Sequence, residues 1–192
     1  QAAEEPRLGI LQVNLIAAST ADEIQRAVQD LQARGATHFA LDLRDNPGGL
    51  LDAGVEIARL FLADGVVMEQ QYRGRDVQRY KVEKPGPLAD IPLVVLINPG
   101  SASAAEIAAG ALKAHARAVI IGQPSYGKDS IQLVFTLSDG SSMHVTAAHW
   151  WIPGLAEAVH DDGVQPDVHV EAETAGGADP YIQAAIRQLF GL

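Results

Sequence analysis

Two short apolar runs constrain this chain more than anything else in it. His38–Leu43 (HFALDL) and Leu93–Ile97 (LVVLI) each lead at once into a loop of turn formers, Arg44-Asp-Asn-Pro-Gly-Gly49 and Asn98-Pro-Gly-Ser-Ala102. Each loop then opens into a stretch of helical periodicity, from about Leu51 to Leu62 and from Ser103 to His115. Short apolar runs bounded by Pro and Gly read as buried strands. Strand–loop–helix units that recur without a break in composition argue one α/β domain.

The remaining segments agree. Leu8–Leu15 alternates Leu11, Val13 and Leu15 against Gln12 and Asn14, a strand pattern. Thr20-Ala-Asp-Glu23 has capping-box spacing before Ile24, Ala27, Val28 and Leu31, with Gly35 as a stop, so a helix is expected there. Val66–Val82 is polar and β-like, and Ala118–Gly122 is a short strand. Ile131–Leu137 and Met143–Trp150 form a hairpin turned at Ser138-Asp-Gly-Ser141. Asp179–Leu192 is one amphipathic helix, and Gln1–Arg7 reads as a loose N-terminal segment ahead of a single domain from 8 to 192. There is no internal repeat.

Composition narrows the function. The 192 residues hold 14 Lys+Arg against 24 Asp+Glu, a net charge of −10, and the four lysines are Lys81, Lys84, Lys113 and Lys128. Without a basic patch such a chain is repelled by phosphate backbones and anionic headgroups, which disfavours nucleic acid and membrane surfaces as partners. The absence of cysteine excludes disulfides, thiolate-ligated zinc, iron–sulfur clusters and a Cys nucleophile. The longest apolar run, Ile91–Ile97, is broken by Pro92 and falls far short of the roughly 20 residues of a membrane helix. With only 5% aromatic residues, the core is packed mainly by Ala, Val, Leu and Ile. A chain that begins at Gln1 with no signal-like pattern reads as a mature chain or as a piece of a longer one.

Three places can hold chemistry. In Arg44–Gly49, two adjacent glycines between strand and helix let the backbone approach a ligand and point N–H groups at an oxyanion, although the same residues could simply turn the chain. The loop lacks the G-x-G-x-x-G spacing and the P-loop lysine, so nucleotide binding is disfavoured. In Pro99–Glu106, Ser103 stands at a strand-to-helix junction, where the positive end of the helix stabilises a tetrahedral oxyanion; the plainer reading is an N-cap, with Glu106 three residues on. The G-x-S-x-G elbow is absent, since Ala102 and Ala104 flank Ser103. In Gly127-Lys128, a lysine between Tyr126 and a strand would act as a general base if partly desolvated, and would otherwise be an exposed loop lysine.

The histidines offer less. His38, His115, His144, His149, His160 and His169 are scattered, and none has a companion that marks it as a base. His160-Asp-Asp162 with Asp167 has the residue types of a metal site, but Gly163 and Pro166 give it the look of a solvated turn.

Taken together, Leu41–Leu51 (LDLRDNPGGLL), Asn98–Ile107 (NPGSASAAEI), Gly122–Gln132 (GQPSYGKDSIQ) and Asp162–Asp167 (DGVQPD) resemble the C-terminal processing peptidases, or tail-specific proteases, over about Leu8–Val170. Four motifs in order make the resemblance specific. It implies an α/β fold with a ClpP/crotonase-like core, and a serine endopeptidase working by a Ser–Lys dyad. Carried onto this chain, Ser103 is the nucleophile, Lys128 the general base and Gln132 its support, with the amides of Gly48 or Gly49 and of Ala104 forming the oxyanion hole. The resemblance implies no cofactor and no metal, a protein or peptide substrate cut near an apolar C-terminal tail, and a place outside the cytoplasm, in periplasm, lumen or cell envelope. A homo-oligomer stays open.

The chain also departs from that pattern. Asp129 stands where relatives usually have Gly after the lysine, Ile152-Pro-Gly-Leu-Ala156 replaces a T-P-x-G-R stretch, and no PDZ domain lies within these residues. Two other readings therefore stand beside the peptidase: an inactive binding module on the same fold, and a crotonase-type acyl-CoA enzyme, which would use Glu or Asp in place of the Ser–Lys pair.

Overall fold

A computed structural model describes residues 7–155, 162–171 and 177–191. Within them the order is β1 (Arg7–Gln12), α1 (Thr20–Ala33), β2 (Ala36–Asp42), α2 (Leu51–Phe61), β3 (Val66–Tyr72), β4 (Gln78–Lys81), β5 (Leu93–Ile97), α3 (Ala104–Ala114), β6 (Val119–Gly122), β7 (Ser130–Thr136), β8 (Ser142–Trp151), β9 (Val168–His169) and α4 (Pro180–Phe190). A five-stranded sheet runs β1-β2-β5-β6-β9, every neighbouring pair parallel. A four-stranded antiparallel sheet runs β4-β3-β8-β7.

The apolar runs are explained by burial on both faces of the parallel sheet. Phe39, Leu41, Val95, Ile97 and Ile120 point into a core shared with α1, α2 and α3, while Ala40, Val94, Leu96 and Ile121 pack against Tyr181, Ala184 and Ala185 of α4. Helix α3 is buried along nearly its whole length and also packs with Met68, Trp150 and Ile152 of the antiparallel layer. Its AAEIAAGALKA sequence suits that place, because small side chains let neighbours approach from every side. A side chain at Gly54 would meet Ala104 O at 2.7 Å, and one at Gly110 would meet Ile152 Cδ1 at 2.4 Å.

Several boundaries differ from expectation. The first strand opens at Arg7 and stops at Gln12; Ile16 returns only as an isolated bridge to Gly49, and residues 1–6 lie outside the described part. The N-cap of α1 is Ser19 rather than Thr20, whose hydroxyl accepts the Ala17 amide at 2.9 Å while Ser19 Oγ donates to Glu23 at 2.6 Å. Strand β9 has only two residues, too few to show a period.

An ion-paired clamp holds α4 to the sheet. Arg44 donates to Asp42 Oδ1 and Oδ2 at 2.8 and 2.6 Å and to Asp179 at 2.9 and 3.1 Å, and its guanidinium lies 4.7 Å from the Tyr181 ring centre. Asp179 is the N-cap of α4, accepting from Tyr181 N and Ile182 N. The hydrogen bonds to Asp42, above all, raise the Arg44 pKa further above its already high value, so the guanidinium stays charged at any working pH.

Candidate active site

The site lies at the C-terminal edge of the parallel sheet, where chains leaving β2, β5 and β6 must turn. The turn formers after β2 and β5 are interlocked. Asn98 Nδ2 donates to Asp45 Oδ1 at 2.9 Å, while Asp45 N and Gly100 N donate to Asn98 Oδ1 at 2.8 and 3.0 Å. Ser101, wholly buried, donates to Leu43 O at 2.8 Å and accepts Asn98 N at 3.0 Å. Asn46, also wholly buried, donates to Val13 O at 2.6 Å, accepts Gly48 N at 2.8 Å, and accepts Ala102 N on its carbonyl at 2.9 Å. The third loop joins them through Tyr126 N, which donates to Ser101 O at 2.9 Å.

This frame presses the Gly-Gly turn against Ser103. Gly48 has φ +99°, and a side chain there would stand 2.7 Å from Ala102 O and 2.8 Å from Ser103 Cβ. Gly48→Ala therefore adds a left-handed penalty to a backbone clash. The expected loss of stability is about 2 kcal/mol or more, read from a urea melt, and it comes with loss of any reactivity at Ser103.

Ser103 itself is strained. Its φ of 55° and ψ of −117° lie where a non-glycine residue pays of order 1–3 kcal/mol. The conformation turns the chain sharply from the β5 loop into α3, so the hydroxyl sits at the helix N-terminus as it does in a strand–turn–helix elbow, without the glycines of that motif. Ala104 opens the helix, and its N–H has no carbonyl one turn earlier to meet.

Lys128 reaches this place along the loop after β6. The link is Glu106, wholly buried, whose carboxylate accepts four hydrogen bonds: Ser103 N at 2.7 Å and Lys128 N at 3.0 Å on Oε2, Gly127 N at 2.6 Å and Ser125 Oγ at 2.7 Å on Oε1. Glu106 is the residue that sequence reasoning undervalued. Its i,i+3 spacing from Ser103 signals a local cap, and nothing in the sequence signals the three donors from the other loop.

Lys128 is half-buried, although Tyr126 does not cover it, being 67% exposed. The carboxylate of Asp129, the residue after the lysine, lies 3.1 Å from His149 Nδ1. Not every expected contact is present. No hydrogen bond joins Ser103 Oγ to Lys128 Nζ in this arrangement, and Gln132 is exposed, opposite Thr146 on β7 after a bulge, without a hydrogen bond to Lys128. Of the two glycine amides, that of Gly48 is already donated to Asn46.

The five described histidines are engaged elsewhere: His38 with Thr37, His115 with Val66 O, His144 with Ser142, His149 with Asp129 and His169 with Glu171. His160 and Asp161 of the considered metal cluster lie outside the described residues. Asp167 of that cluster pairs with Lys113 Nζ and accepts Ile120 N at 2.8 Å.

The profile of peptidase family S41 matches residues 7–170, a span that contains all four motifs. The chain belongs to peptidase family S41. This S41 chain is 41% identical over 172 residues to a carboxyl-terminal-processing protease of Picosynechococcus sp., covering 90% of this chain and 41% of that protein. It is 40% identical over 165 residues to the chloroplastic carboxyl-terminal-processing peptidase 2 of Arabidopsis thaliana, covering 84% and 32%. The photosystem II D1 C-terminal processing protease superposes with a TM-score of 0.75 at 35% identity, over 95% of this chain and 46% of that one. The expected α/β fold is thus that of solved S41 proteases, with one parallel and one antiparallel sheet. The S41 chain spans less than half the length of these relatives. No helix among the described residues is long and apolar enough to cross a membrane.

Proposed function

We propose that the chain is the catalytic core of a serine endopeptidase that cleaves polypeptides through an acyl-enzyme, with Ser103 as nucleophile and Lys128 as general base. The observation that carries this reading is the strained Ser103 at the start of α3, pressed against the Gly48 turn and joined through Glu106 to the Lys128 loop. Catalytic hydrogen bonds are often long in a substrate-free enzyme and tighten in the complex, so the pair as seen is the resting arrangement.

In the reaction, neutral Lys128 Nζ takes the Ser103 Oγ proton as Oγ attacks the scissile carbonyl carbon. The oxyanion is held by the amides of Ala104 and Gly49, since that of Gly48 is already donated. Collapse of the tetrahedral intermediate breaks the C–N bond, and the leaving amine takes its proton from the Lys128 ammonium. Water, deprotonated in turn by Lys128, hydrolyses the ester and frees Ser103. Gln132 orients the lysine amine once substrate has drawn the loop and β7 together.

The substrate that fits is an extended apolar polypeptide segment near a C-terminus. β7 starts two residues past Lys128, lies at the sheet edge and carries no charge over Ser130–Leu137, and Leu133, Val134, Phe135 and Leu137 are exposed on the hairpin. By family resemblance the enzyme works outside the cytoplasm. Peptides that end in an apolar tail are expected to be cut with kcat/KM at least about tenfold above the same peptides ending in two lysines, a difference of about 1.4 kcal/mol; equal values would remove the tail preference. An inactive binding module draws on one observation, the missing Ser103–Lys128 contact, and any turnover of these peptides excludes it.

A further inference from the structure

The Glu106 carboxylate does more than an N-cap requires. A cap needs only the Ser103 amide, whereas here the other three donors come from Ser125, Gly127 and Lys128, in the loop that carries the base. A carboxylate offers about four acceptor sites, and four neutral donors fill them. Because Ser103 N and Lys128 N meet the same oxygen atom at 2.7 and 3.0 Å, these two nitrogens are held less than about 6 Å apart. Ser125 extends the brace: its Oγ also accepts Val164 N at 2.7 Å, and a side chain at Gly163 would meet Ser125 O at 2.3 Å. The D-G-V-Q-P-D segment thereby backs the loop that carries Lys128.

We propose that Glu106 is a positioning residue, whose buried carboxylate sets the separation of the Ser103 and Lys128 backbones and so governs how readily Lys128 takes the Ser103 proton. This role rests on the Ser–Lys reading. Glutamine keeps the shape but turns an NH2 group toward two of the four donors, so Glu106→Gln breaks one arm of the brace.

The test is the rate of labelling by a fluorophosphonate over a range of reagent concentrations, for the full chain and for Glu106→Gln, with near-UV circular dichroism as the check on folding. The expected result is a folded variant labelled at least about tenfold more slowly because its maximal inactivation rate falls, with the reagent's half-saturation concentration unchanged. A rate within about twofold of the parent overturns the proposal, as does a slower rate that comes only from weaker binding of the reagent, which would make Glu106 a scaffold residue only. If Glu106→Gln does not fold, Ser125→Ala decides: labelling at least about threefold slower, still going to completion, supports the brace, and a parental rate overturns it. Failure of the parent to label at any pH would instead remove the Ser–Lys reading, whatever the variants do.

Discussion

Ser103→Ala is expected to abolish peptide cleavage, lowering kcat/KM by about ten-thousandfold or more, and to leave the fold intact. The size follows from the nucleophile's place in a unit whose members fail together; what remains is the catalysis that binding and the oxyanion donors supply alone. The intact fold follows from the local structure. Alanine at Ser103 keeps the same strained backbone, and the amide that caps through Glu106 is untouched. Stability should change by no more than about 1 kcal/mol, the usual cost of an N-cap hydroxyl. The measurement is turnover of an apolar-tailed peptide beside a thermal melt. Cleavage within tenfold of the parent would move the nucleophile elsewhere.

Lys128→Ala is expected to produce a loss of comparable size with a different signature. Ser103 keeps its oxyanion donors and its strained backbone, so a fluorophosphonate still labels it slowly, but the base that made the rate climb with pH is gone. The parental labelling rate is expected to rise with pH, as a base-assisted attack does, and the variant's rate to stay low and flat. No described histidine contacts Ser103 to take over the role. A variant that kept the parental rise would assign the base to another group. Gln132→Ala should act in the same direction with smaller effect, because the role proposed for Gln132 is to orient the amine and not to accept the proton.

How far the sequence could be read depended on whether the forces at each position were local. Leu93–Ile97 has the observed strand boundaries because it is buried on both faces and punctuated by Pro92 and Pro99. The junction at Ser103 was visible because Pro, Gly and Ser punctuate it. Thr20 misled because its hydroxyl bonds back to Ala17 instead of capping the helix it opens. The choice between Gly48 and Gly49 depended on Asn46, buried beneath the turn, whose side chain takes one amide and leaves the other. The pairing of Asp129 with His149 was not legible either, because His149 lies on β8, 20 residues further along the chain. Glu106 shows the limit most sharply, because its local partner Ser103 is three residues away, while the three donors that give it a further role arrive from the loop after β6.

Treating the folded chain with a fluorophosphonate at pH 8–9 and locating the adduct by peptide mass mapping decides whether Ser103 is the nucleophile. One equivalent of label is expected on Ser103 and none on Ser103→Ala. A folded chain that takes no label, or takes it on another serine, would contradict a Ser103–Lys128 peptidase.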